Sequence, residues 1–277
     1  MTPLSAEARL EVAAVQLSSQ EGVAENLAAC AELGDRAAAR GTKLVVFPEN
    51  FAFMGPDEAR RLHAERVGDP GAPIQRCLAE LARRHRIHVV GGGMPEASGD
   101  PARPYNTLVV FSPSGELLSS YRKIHLFDVD LSDGTHLRES AATTPGQTPT
   151  IVSVDGFTVG LSICYDLRFP ELYRALAAQG AHVLLVPAAF TLHTGKDHWH
   201  VLLRARAIES QAYVVAPAQW GKHPRGRTTY GHALVADPWG TVVAECPDGP
   251  GLALATIEAS RLTSVRGSLP SLLHGKL

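Results

Sequence analysis

Three side chains in this sequence are suited to attack on a carbonyl group, and each ends a segment that reads as a strand: Glu49 after KLVVFP, Lys123 after ELLSSYR and Cys164 after FTVGLSI. A thiolate attacks carbonyl carbon, a carboxylate accepts a proton, and an ammonium group stabilises a developing oxyanion. Each residue also has an ordinary reading. A cysteine after an apolar strand is most often a small buried hydrophobe. Glu49 behind Pro48 suits an exposed loop or the cap of a short helix over 50–54. Lys123 in YRKIH suits a solvated strand end. Their common placement argues for chemistry, because ligands of open α/β sheets bind beyond the carboxyl ends of strands. A thiol at a strand-to-helix turn also lies near helix amides, which favour thiolate and an oxyanion.

Spacing alone keeps a Cys–His mechanism open, with His125, His193, His198, His200 and His232 as candidates. His198 and His200 invite a metal reading, but residues two apart on a helix diverge and do not easily share one ion. Gly91-Gly92-Gly93 leads to Pro95 rather than to a helix, which argues against a phosphate cradle. No metal and no cofactor is expected.

The elements that must position these groups alternate in type. Buried strands are predicted over 10–17, 43–50 and 87–94, with helices over 23–39 and 73–86 between them. Segments 106–112 and 116–123 flank the turn Pro113-Ser114-Gly115 as a hairpin. The second half repeats the grammar: a hairpin over 150–164, a helix over 170–179, a strand over 182–190 and a helix over 197–210. Strands over 212–219, 229–237, 241–247 and 251–257 complete it. Strands alternating with helices imply α/β layers, and the trailing hairpins imply mixed sheets. No linker separates the halves, so one domain over 1–277 is expected, with a core of 10–258 and a tail, 259–277, whose last stretch from 261 has no strong pattern.

Composition bounds the function. The 277 residues are 45% hydrophobic and 19% charged, with a formal net charge of −2 and no Lys/Arg block, which argues against nucleic-acid or membrane binding. No apolar run reaches the ~18 residues of a membrane span, and the N-terminus lacks a signal-peptide pattern. Cys30, Cys77, Cys164 and Cys246 are widely separated, so neither a disulfide framework nor a zinc site is expected, and a reduced, cytoplasmic protein is the default.

The strings FPEN, YRKIHLFD and SICYDLRFPELYR, in this order, resemble the three signature segments of the nitrilase superfamily of carbon–nitrogen hydrolases, and the similarity runs from VAAVQL to GLALATI. The resemblance implies a four-layer α-β-β-α sandwich with two mixed sheets, commonly a homodimer, acting on a small-molecule amide. It implies Cys164 as nucleophile, Glu49 as general base and Lys123 with the Tyr165 N–H as the oxyanion site. Glu139 in THLRES matches a second carboxylate that orients the lysine and substrate. A carboxylate able to take the thiol proton is expected to have a raised pKa. FTLHTGKDHWH and RTTYGHALVADPWGTV are similar to the branch holding omega-amidases and deaminated glutathione amidases. That branch implies Arg168 as the grip on a substrate carboxylate, with Phe190 and Thr191 lining the same pocket. A plain ion pair of Arg168 with Glu171 or Asp166 is the alternative. Lys222, Arg225 and Arg227 in GKHPRGR suit the anionic Cys-Gly end of deaminated glutathione, or a solvated loop. Asp197 stands where a small residue is expected. Omega-amidase, aliphatic amidase or N-carbamoyl hydrolase activity, and a catalytically silent binding protein on the same fold, remain open.

Overall fold

The computed structural model describes residues 4–130 and 136–276. The first half builds β1 (Arg9–Leu17), α1 (Val23–Ala38), β2 (Leu44–Val46), α2 (Pro73–His85), β3 (His88–Glu96), β4 (Tyr105–Phe111) and β5 (Leu117–Arg122). A small hairpin follows, β6 (Asp128–Asp130) with β7 (His136–Arg138). The second half builds β8 (Thr150–Val154), β9 (Phe157–Leu161), α3 (Pro170–Ala178), β10 (Val183–Leu185) and α4 (Leu192–Ser210). Then come β11 (Tyr213–Ala216), β12 (Ala218–Lys222), β13 (Thr228–Tyr230), β14 (Leu234–Ala236), β15 (Val242–Glu245), β16 (Gly251–Glu258) and α5 (Ala259–Ser268).

One sheet runs β13-β12-β1-β2-β3-β4-β5, with β16 antiparallel to β1; the other runs β15-β14-β11-β10-β9-β8. In each, three parallel strands, β1-β2-β3 and β9-β10-β11, are followed by antiparallel ones. The two halves therefore repeat one β-α-β-α-β grammar, as the sequence predicts.

Alternation along β1 sets the layers. Val12 and Ala14 join the core shared with Val159, Leu161 and Leu184 of the second sheet. Ala13 and Val15 point the other way and meet Cys30 and Leu33 of α1 and Leu78 and Leu81 of α2. Leu172 and Leu176 of α3, with Trp199 and Leu203 of α4, cover the second sheet's outer face. The result is the expected α-β-β-α sandwich, in which each fully buried Val or Leu contributes about 1.5–3 kcal/mol.

The boundaries differ from the sequence reading at several places. The strand expected over 229–237 is two short strands in different sheets, β13 paired with β12 and β14 with β11. The strand expected over 212–219 is two strands in different sheets: β11 pairs with β10, and β12 pairs with β1. Pro217 lies between them, where a residue without an N–H ends one ladder and the chain crosses to the other. The helix expected from 197 begins at Leu192, its first turn closed by the Gly195 N–H on the Thr191 carbonyl at 2.8 Å. Its apolar periodicity starts only at Trp199, so the polar first turns were invisible to pattern. The unpatterned tail holds α5, anchored by buried Leu262 and Val265 and by Arg266, which donates to the Gln211 and Ala181 carbonyls at 3.0 and 2.8 Å.

Candidate active site

The three strand-end residues meet. Glu49 leaves the turn after β2, Lys123 follows β5, and Cys164 follows β9; all three are buried and line one cleft. Residues 50–54 form no helix, and Asn50 sits at φ 60°. Lys123, 1% exposed, is the opposite of a solvated strand end. Its Nζ donates to Glu49 Oε1 at 2.9 Å and to Glu139 Oε2 at 2.8 Å. Glu49 Oε1 also accepts from Asn106 Nδ2 at 2.9 Å, and Oε2 from the Ala189 N–H at 3.1 Å. Glu139 is fixed from outside, accepting the Phe127 N–H at 2.7 Å.

Glycines on β3 let the backbone come this close. A Cβ on Gly92 would lie 2.1 Å from the Phe47 carbonyl oxygen, and one on Gly93, at φ 153°, would lie 2.7 Å from Asn106 Oδ1. The glycine triplet thus serves approach of backbone to the site.

Cys164 occupies a sharp elbow. Its φ is 49°, a left-handed conformation that costs a non-glycine residue of order 1–3 kcal/mol. The elbow is held by its own N–H on the Pro187 carbonyl at 2.9 Å and by Asp166, which is fully buried. Asp166 Oδ2 accepts the Ile163 N–H at 2.9 Å and the Tyr121 hydroxyl at 2.7 Å. Its Oδ1 lies 2.7 Å from His125 Nδ1 and accepts the His125 N–H at 3.0 Å. Asp166 therefore ties the elbow to the segment carrying Lys123.

The charges settle into one resting state. Burial pushes the Glu49 carboxyl up, but Lys123, Cys164 and Arg60 outweigh it and hold it below the usual carboxylate range. Burial, then the Glu49 charge, raises the Cys164 thiol well above its ordinary value, against the opposing pull of Lys123. For Lys123, burial is outweighed by Glu139 and Glu49, and the ammonium is strengthened. The raised Glu49 pKa expected from sequence is thus reversed. These directions favour a thiol beside a carboxylate, an arrangement in which attack of the thiol on a carbonyl would have to pass its proton to Glu49 as the carbon–sulfur bond forms.

Two lobes open from Cys164. One is lined by Glu49, Asn50, Asp57, Arg60, Lys123, Glu139 and Arg227. The other is lined by Tyr165, Arg168, Phe190, Thr191 and Thr194. Phe127, Cys164 and Ala189 border both. Arg168 makes neither expected ion pair: its guanidinium lies 5.3 Å from the Phe190 ring and 5.9 Å from the Tyr165 ring, with Nη1 3.3 Å from His198 Nδ1. Of the basic loop, only Arg227 reaches a Cys164 lobe; Lys222 is exposed, and Arg225 pairs with Glu58 at 3.1 Å. Asp197 is exposed and lines neither lobe.

No described histidine lines the two lobes, so no Cys–His pair forms among the described residues. His125 stacks on Phe169 at 3.7 Å between ring centres. His198 and His200 separate as expected. His200, His232 and Glu245 do come within 4.8 Å of one another, a donor set able to hold a cation, but none of them borders Cys164. Sequence reasoning missed Asn106, Asp166 as a tether, and Arg60. Only Asp166, two residues from the thiol, carried a usable signal.

The sequence profile described as carbon-nitrogen hydrolase matches residues 11–267. A Synechocystis protein described as a deaminated glutathione amidase is 47% identical over 265 residues, spanning 95% of this chain and 96% of its own. The NitFhit protein of C. elegans superposes with a TM-score of 0.90 at 36% identity, over 98% of this chain and 66% of that one, so this chain spans just under two thirds of it. A variant of the amidase from Nesterenkonia sp. AN1, solved with the acetamide moiety of fluoroacetamide added covalently at its active site cysteine, superposes with a TM-score of 0.79 at 27% identity, over 98% of each chain.

Proposed function

The chain belongs to the carbon-nitrogen hydrolase family and is an amidase acting on carbon–nitrogen bonds of linear amides, and from that premise we propose that it cleaves deaminated glutathione to 2-oxoglutarate and Cys-Gly through a thioester on Cys164. Cys164 Sγ attacks the amide carbonyl as Glu49 takes the thiol proton. The oxyanion is met by Lys123 and by the Tyr165 N–H. Glu49 then passes its proton to the departing amine nitrogen, and the carbon–nitrogen bond breaks. Water enters, gives a proton to Glu49 and attacks the thioester. Collapse releases the carboxylic acid and returns the proton to sulfur. Glu139 holds Lys123 cationic and in place throughout.

One observation carries the assignment: a fully buried ammonium group clamped between two carboxylates, beside a strained thiol with a raised pKa. Such a cluster is costly to bury unless its charges do work. The keto-acid end is assigned to the Arg168 lobe, where a planar guanidinium between aromatic rings suits a carboxylate and Phe190 and Thr191 pack the chain behind it. 2-Oxoglutaramate offers the same acyl half to Arg168, so omega-amidase activity is the second reading.

The test is a panel of deaminated glutathione, 2-oxoglutaramate, an N-carbamoyl amino acid and a nitrile. The highest kcat/KM is expected with deaminated glutathione; a higher value with the N-carbamoyl compound or the nitrile contradicts the assignment. We also infer a cytoplasmic homodimer. Its four thiols are free, and Val201 and Ile208, seven apart on α4, are 66% and 47% exposed on one face. Val201→Glu should yield monomer in light scattering; an unchanged mass rules this face out.

A further inference from the structure

We propose that Arg60, assisted by Arg227, is a recognition edge for an anion on the leaving half of the substrate, selecting amides whose amine product bears a free carboxylate. This rests on the amidase assignment above and adds to it which end of the substrate is read, and by what.

Arg60 is 6% exposed. Its Nη1 donates to Asn50 Oδ1 at 2.6 Å, but Nε and Nη2 are buried without an acceptor among the described residues. Those two nitrogens form the edge of a guanidinium that takes a carboxylate side-on. The same edge is filled elsewhere in this molecule. Arg122 places Nε and Nη2 on Glu96 at 2.9 and 2.6 Å, Arg206 places both on the Leu167 carbonyl at 3.0 and 2.8 Å, and Arg261 places both on Asp237 at 2.9 and 2.8 Å. Arg60 has no such partner among the described residues, although burying charged donors unpaired is costly.

Arg60 lines the lobe that contains Glu49. Arg227 lines that lobe as well, and its Nε is also buried without an acceptor among the described residues. The carboxylates nearby are not free to fill the gap: Glu49 and Glu139 are engaged by Lys123, and Asp57 makes no hydrogen bond to either arginine among the described residues.

Proton transfer fixes which half of the substrate comes here. Glu49 must reach the departing nitrogen, so the amine half leaves through the Glu49 lobe while the acyl half occupies the Arg168 lobe. An amine product ending in a carboxylate, such as an amino acid or a short peptide with a free C-terminus, supplies the two oxygens that Nε and Nη2 of Arg60 lack, with Arg227 as a second cation.

The experiment compares deaminated glutathione with the same compound carrying a C-terminal carboxamide. Taking kcat/KM as a ratio within one protein cancels any general damage from a substitution. The wild-type chain should favour the free acid by about tenfold or more, as expected for one charge-assisted contact. Arg60→Gln and Arg227→Gln should each pull that ratio towards one, and Arg168→Gln should lower both substrates together and leave it. A wild-type ratio near one, or an unchanged ratio in both variants, overturns the proposal while amide hydrolysis itself still stands. Hydrolysis of neither compound instead contradicts the amidase assignment, and this edge with it.

Discussion

The lobe around Arg168 and the lobe around Glu49 share the Cys164 sulfur but are built by different parts of the chain. Tyr165, Arg168, Phe190, Thr191 and Thr194 come from the second half and give walls of rings and hydroxyls around one cation. Glu49, Asn106, Lys123, Glu139 and Arg60 precede Cys164 in the chain and give walls of charge, to which Ala189 and Arg227 add from later in the chain. The halves repeat one topology yet divide the labour. In the proposed mechanism the proton acceptor and the buried ammonium come from one side, and the nucleophile, the Tyr165 N–H and the acyl pocket from the other. A duplicated grammar of strand ends therefore provides placement, while the chemistry depends on which side chains stand there.

The sharpest way to break this division is at the residue both lobes share. Cys164→Ala should lower hydrolysis of every amide by ~10⁴-fold or more while circular dichroism stays unchanged. Substantial turnover by that variant removes Cys164 as nucleophile. Lys123→Met attacks the charged side alone. It takes away an oxyanion partner and strands Glu49 and Glu139, so kcat should fall by ~10²–10³-fold, and urea unfolding should report a loss of ~3–5 kcal/mol. Arg168→Gln attacks the other side: KM for keto-acid amides should rise by ~10-fold or more, and less for uncharged amides. An equal rise for both removes Arg168 from carboxylate recognition.

The smallest effect is in pH. Glu49 is depressed in the folded state, so its pairing adds stability above its unfolded pKa, near 4.5, and that stability drains away as pH falls through the lower folded value. Lys123 is raised, so its contribution is complete below its unfolded pKa, near 10.5, and is lost as pH rises through the higher folded value. The Cys164 thiol is raised too, so its contribution begins to fall as pH rises past its unfolded value near 9, and melting temperature should be flat only between about 4.5 and 9 where this cluster is concerned. Glu49→Gln should soften the acid limb, and should shift the alkaline limb less because Glu139 still pairs with Lys123; an unchanged acid limb places that stability elsewhere.

Much of this is legible in the sequence. The strand ends at Glu49, Lys123 and Cys164 could be read because hydrophobic runs mark buried strands and Pro48 and the Cys164 turn mark their stops. The layers followed from two βαβαβ runs. What stayed hidden depends on contacts across the chain. Arg60 lies in a 3₁₀ segment, Asp57–His63, with no periodicity to betray burial. Asn106 reads as an ordinary first residue of a strand. The split at Pro217 requires knowing that two sheets lie face to face. The sign of the Glu49 shift depended on how many donors surround it, and Asn106 lies 57 residues away in sequence.

Acid-quenched intact-mass analysis during the first turnovers with deaminated glutathione tests the central claim most directly. A 2-oxoglutaryl adduct on Cys164, formed no more slowly than product and absent from Cys164→Ala, is the predicted result. Product released at full rate with no adduct on Cys164, and with no hydroxamate formed when hydroxylamine is present, contradicts it.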